Sequence, residues 1–207
     1  MPVPPAGFRL FFLALLALLC ALPSGAPAQA AATTADAWDM LRAGGAVVLL
    51  RHARTVPGVG DPPGFRLDDC STQRNLSDAG RAQAQRLGEA FRAAGVPVGE
   101  VLSSRWCRCI DTAMEAFGRV TPWPTVDSFF EPRLTGGGPD TGPAQTAALR
   151  KRIAGYRGKE TLVVITHQVN ITALTGVHPA MGEAVIVRPA PRRGAGGFEV
   201  AGRLVVP

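Results

Sequence analysis

Two short runs almost free of polar residues constrain the fold more than anything else in this chain. Ala46-Val47-Val48-Leu49-Leu50 and Thr161-Leu162-Val163-Val164-Ile165-Thr166 are too short for helices and lack the apolar/polar alternation of a strand with one wet face. A strand is apolar throughout when both of its faces are covered, as in a parallel sheet held between helices. The intervening segments have helical character. Residues 35–43 form a short helix stopped by Gly44-Gly45. Ser77 is placed to cap a helix in which Ala84, Leu87, Phe91 and Ala94 recur at helical spacing until Gly95 and Pro97. Residues 106–117 predict a helix closed by Gly118, Pro143 suits the first turn of another reaching about Gly155, and a short helix covers residues 170–175. Further strands are expected at 98–102, 184–188 and 198–206. This order predicts an α/β three-layer sandwich, with a mostly parallel central sheet flanked by helices. Residues 53–75 and 119–142 are rich in Pro and Gly and have no period, so they read as long loops, which in a compact domain often carry function.

The chain has 207 residues. Its first thirty read as an address. Arg9 precedes a continuous apolar run from Leu10 to Leu22, and Pro23, Ser24, Gly25 and the small-residue site Ala28-Gln29-Ala30 follow. That is the order of a secretory signal peptide, and the run falls short of the ~20 residues that cross a bilayer. Leu19 before Cys20 does not suit a lipoprotein. The expected organisation is therefore a signal peptide at 1–30 and a single domain at 31–207, with the mature protein in the periplasm or secreted and without a stable membrane anchor.

The formal charge of +6 comes mostly from arginine, the only lysines being Lys151 and Lys159. With no lysine-rich run and no aromatic ladder, this balance suits small anionic substrates, and nucleic acid is not an expected partner. Once Cys20 leaves with the leader, Cys70, Cys107 and Cys109 remain. In an oxidising compartment Cys70 is expected to pair with Cys107 or Cys109, leaving an odd thiol. A zinc tetrad would need a fourth ligand.

Polar residues stand where apolar strands stop: Arg51-His52 after the first run, Ser103-Ser104 leading to Arg108 after the second strand, and His167 after Thr166. In open parallel sheets the carboxyl ends of strands share one edge, so residues distant in sequence can meet there. Two histidines and two arginines would suit phosphoryl transfer. Arginine offers a rigid fork of donors to phosphoryl oxygens, and guanidinium groups beside an imidazole disfavour its protonated form and keep it nucleophilic. The leaving oxygen needs a carboxylic acid to protonate it.

These motifs resemble the histidine phosphatase superfamily, which is phosphoglycerate mutase-like in fold. Leu50-Arg51-His52-Ala53-Arg54-Thr55 is similar to its LRHGET signature, Asn75 to Ala84 to its LTxxGxxQA helix start, Ser103 to Ala113 to SSxxxRxxxTA, and Val164-Ile165-Thr166-His167 to its vvtH strand end. The resemblance spans about residues 46–175. It implies that His52 is the nucleophile, that Arg51, Arg108 and His167 hold the phosphate, and that Arg105 does not. Ala53 and Arg54 depart from the pattern. Gln168 stands where the acid phosphatase branch has an aspartate, so the other branch, with a glutamate donor in the middle segment, is the closer match. Glu131 falls there, with Asp127 and Asp140 as substitutes. His178, Asp68, Asp69, Trp106 and Trp123 read as structural or solvated, although Trp106, Trp123 and the Asp68-Asp69 pair could border the entrance.

The expected function is hydrolysis of a small phosphomonoester through a phosphohistidine on His52, with no metal and no cofactor. An envelope glycan phosphate is one candidate substrate, by analogy with exported relatives. The alternatives are a phosphomutase and an inactive module that only binds phosphate or an anionic glycan.

Overall fold

A computed structural model describes Met1 and residues 34–130, 140–190 and 196–206. Residues 2–33, which include nearly all of the expected leader, and Glu131 lie outside the described residues. In chain order the elements are α1 (Thr34–Arg42), β1 (Val47–Arg51), α2 (Asp78–Ala93), β2 (Val98–Ser103), α3 (Cys107–Phe117), β3 (Thr121–Pro122), α4 (Gly142–Ala154), β4 (Thr161–Thr166), α5 (Gln168–Thr175), β5 (Ala184–Pro189) and β6 (Phe198–Leu204), with 3-10 turns at Cys70–Thr72 and Pro124–Val126.

The strands form one sheet in the order β3-β2-β4-β1-β5-β6. β1, β4, β2 and β3 run parallel, while at one side β5 pairs antiparallel with β1 and β6 antiparallel with β5. All of β1 except Arg51 and all of β4 are buried, as their continuous apolar sequences require. Their side chains alternate between two cores. Val48, Leu50, Val163, Ile165, Ala184 and Ile186 face one, where Leu41 of α1, Leu87 and Phe91 of α2 and Ala113 of α3 pack. Val47, Leu49, Leu162, Val164, Val185 and Val187 face the other, against Leu149 and Ile153 of α4 and Ile171 and Leu174 of α5. A period of two along strands buried on both sides yields three layers. The fold is the expected α/β sandwich.

Local signals set the helix ends. The Ser77 hydroxyl accepts from the Gly80 amide and caps α2, and Gly118 closes α3 in the left-handed region at φ 66°. Cys70 is disulfide-bonded to Cys107, which ties the end of the 53–75 loop to the first residue of α3, and Cys109 is the buried free thiol. Among the described residues, no helix is long and apolar enough to cross a membrane.

Candidate active site

Because β2, β4 and β1 are neighbours, their carboxyl ends deliver Ser104, His167 and His52 side by side. Backbone bonds continue the ladder past the strands: the His52 amide donates to the Thr166 carbonyl at 3.0 Å, and the Ser104 amide to the Ile165 carbonyl at 2.9 Å. The first turn of α3 adds Arg108. Arg51, His52, Arg108 and His167 thus converge on one cavity of about 260 Å³, and Arg74, from the end of the long loop, joins them.

His52 is held in one tautomer. Its Nδ1 lies 2.9 Å from the Ala53 carbonyl, which only accepts, so Nδ1 carries the hydrogen and Nε2 keeps its lone pair. The Ala53 amide is itself fixed by the Thr112 hydroxyl at 3.0 Å, and Thr112 bonds back to the Arg108 carbonyl at 2.7 Å. α2 sits close against this loop: a Cβ on Gly80 would lie 1.8 Å from the Arg54 carbonyl oxygen, so only glycine fits. Gln83, one turn on, accepts from the Arg54 amide and donates to the Met181 carbonyl, joining the histidine loop to the turn before β5.

Burial, then the nearby Arg108, Arg51 and Arg74, hold the His52 imidazole down to about 3, against the opposing bond to Ala53. His167 is likewise pushed well below the ordinary range, by burial first and then by Arg108 and His52. Both rings are therefore neutral at physiological pH. His167 Nδ1 lies 3.5 Å from an Arg108 amine that only donates, so its Nε2 carries the hydrogen and meets the Ser104 hydroxyl at 2.8 Å. Ser104 in turn donates to Asp127 at 3.2 Å.

The two arginines of the 103–113 segment separate. Arg108 is buried and turned to the cavity, whereas Arg105 is half exposed and paired with Asp127 at 2.6 Å. Arg51 donates to the Gln168 side-chain oxygen and the Pro179 carbonyl, both at 2.9 Å. The Nε–H groups of Arg51 and Arg108 are buried with no partner among the described residues, an unusual state for a buried donor and one that a bound oxyanion would relieve.

Asp61, in the middle of the long loop, is a feature that sequence reasoning missed. Its fully buried carboxylate takes Arg108 at 2.8 and 3.0 Å, the Trp106 indole N–H at 2.9 Å and the Arg74 amide at 2.9 Å. One side chain therefore sets Arg108, anchors the loop and places Arg74. No periodicity marks it, and only its chemistry as one acid in an arginine-rich chain could have drawn notice.

The carboxylates considered as proton donors fare differently. The Asp127 carboxylate is committed to Arg105 and Ser104, and Asp140 caps the start of α4 through the Gly142 amide. Glu131 lies outside the described residues. Asp69 caps the 3-10 turn at Cys70–Thr72 and pairs with Arg66, while Asp68 is exposed, so this pair forms a turn. Trp106 is buried edge-on to His167, and His178 is exposed. Among the described residues, no cluster of three or more His, Cys, Asp or Glu side chains could hold a metal ion.

The family model of the histidine phosphatase superfamily, branch 1, matches residues 47–133. Over that stretch the chain is similar to that superfamily. The fold is similar to the protein histidine phosphatase SixA complexed with tungstate, with a TM-score of 0.55 and 14% identity over 77% of this chain and 96% of that one. It is also similar to TTHB049 from Thermus thermophilus, at 0.53 and 22% over 78% and 99%. A third is the mycobacterial glucosyl-3-phosphoglycerate phosphatase Rv2419c with VO3, at 0.52 and 18% over 69% and 92%. No curated protein sequence matches. At such identities the solved structures share the phosphoglycerate mutase-like fold, and their substrates remain their own. Members of the histidine phosphatase superfamily are phosphatases or mutases, acting on small phosphorylated substrates.

Proposed function

We propose that this chain is an exported phosphomonoesterase that carries the phosphoryl group of a small phosphate ester on His52, without a metal. The observation that supports it most is the His52 tautomer: Nδ1–H is held by the Ala53 carbonyl and leaves the Nε2 lone pair free, in a cavity with three arginines. An imidazole kept neutral by burial and cationic neighbours needs no general base before it attacks. Arg51 and Arg108 supply donors for the phosphoryl oxygens, and fixed guanidinium groups serve the spread charge of the transition state.

In the first step a P–N bond forms at His52 Nε2 as the ester P–O bond breaks, and the departing oxygen takes a proton from a carboxylic acid. Glu131 is assigned that role by the resemblance. In the second step water attacks phosphorus, gives its proton to the same carboxylate, and the P–N electron pair returns to Nε2 with release of inorganic phosphate. Export is supported by the leader pattern and by the Cys70–Cys107 disulfide, which suits an oxidising compartment.

A panel of phosphomonoesters assayed with and without EDTA tests the reading. Phosphate release insensitive to EDTA and abolished in His52→Ala is the expected result. Full activity in His52→Ala would refute it, and phosphate binding without any turnover would favour a binding module instead.

A further inference from the structure

Beyond its phosphate-handling groups, the cavity is walled by Gly58, Val59 and Gly60 of the long loop and by Phe130, Val169 and Met181. None of these side chains carries an oxygen or nitrogen. Among the described residues Gln168 is the remaining polar member, and its side-chain oxygen is taken by Arg51. Val59 is 85% exposed and Val56 43%, so apolar surface stands uncovered at the loop that borders the opening. Resting on the phosphatase reading, we propose that the alcohol half of the substrate is apolar, making it an alkyl or aryl phosphomonoester rather than a sugar, nucleotide or bisphosphate.

The charged groups gather at one end: Arg51, Arg74 and Arg108 line the floor, with Asp61 bound to Arg108, and the described side chains toward the opening are uncharged. A sugar hydroxyl entering the opening would give up its water for described side chains of valine, phenylalanine and methionine, none of which offers a hydrogen bond in return. A hydrocarbon chain gains from the same wall. Each methylene transferred from water onto it is worth about twofold to fourfold in affinity or kcat/KM, the upper value applying to full burial.

The test compares methyl-, butyl- and hexylphosphonate binding to the purified protein by calorimetry. In parallel, kcat/KM is measured for methyl, butyl and hexyl phosphate and for glucose 6-phosphate, all esters of unactivated alcohols. The expected result is affinity and kcat/KM that climb with chain length by about thirtyfold or more from methyl to hexyl. Glucose 6-phosphate should be no better than methyl phosphate, and the slope should flatten in Val59→Ser and Met181→Gln. Equal binding of methyl- and hexylphosphonate, or glucose 6-phosphate matching hexyl phosphate, overturns the inference. If hexylphosphonate binds better but no ester is turned over, the phosphatase reading fails while the apolar preference stands. If no phosphonate binds at all, both fall.

Discussion

His52 acts through what its two nitrogens face: a backbone carbonyl fixes Nδ1, and burial with Arg108, Arg51 and Arg74 suppresses protonation. With the imidazole held down to about 3, an NMR titration of labelled histidine should show His52 neutral from pH 8 to pH 5. In Arg108→Gln the ring should begin to titrate at higher pH, because one of the lowering charges is gone; an unchanged titration would show that Arg108 does not contribute. Asp61 is the complementary case. Removing one partner of a buried ion pair typically costs about 3–5 kcal/mol, so Asp61→Asn should lower the urea midpoint strongly. It should also reduce kcat/KM by about tenfold to a hundredfold as Arg108 loses its position. Arg51, His52, Arg108 and His167 were legible in the sequence because each follows the end of an apolar strand or lies in the first turn of the helix after one. Asp61 and Arg74 were not, since an aperiodic loop carries no record of what its side chains will bury or touch.

At the scale of elements, β1 and β4 were legible because strands covered on both faces must be apolar throughout, and α2 because Ser77 caps it. The two-residue β3 is too short for any period and was lost within a long excursion. Pairing direction at β5 and β6 was equally hidden, because an antiparallel strand in a covered position reads the same as a parallel one. The packing of α2 on the histidine loop through Gly80 gives a sharp expectation. Gly80→Ala places a methyl 1.8 Å from the Arg54 carbonyl, so α2 must shift; kcat should fall, with a loss of roughly 1–3 kcal/mol of stability in urea. The Cys70–Cys107 disulfide spans 37 residues and joins the Asp61 loop to the helix of Arg108. The Cys70→Ser/Cys107→Ser double variant should lose about 2–4 kcal/mol of stability. A double variant as stable as the parent would mean that the Asp61 contacts alone hold the loop.

The whole molecule stores both histidines as neutral, buried rings, and that makes its stability depend on pH. Unfolded, each takes up a proton near 6.5, while in the fold His52 does so only at about 3 and His167 well below its ordinary value. The unfolded chain thus binds more protons between these limits, and stability is full above about 6.5 and falls as pH drops toward 3. From pH 7 to pH 5 His52 alone should remove about 2 kcal/mol of unfolding free energy in urea titrations, with His167 acting in the same direction, and His52→Ala should lessen the loss. The same two rings, kept neutral on adjacent strand ends among three arginines, underlie the catalytic proposal. Its most direct test is to mix the protein with a substrate labelled in the phosphoryl group, quench in alkali, where phosphohistidine survives, and map the label by peptide mass. The account predicts transient phosphorylation at His52 Nε2, absent in His52→Ala. Turnover with no label on His52, or label on another residue, would contradict it.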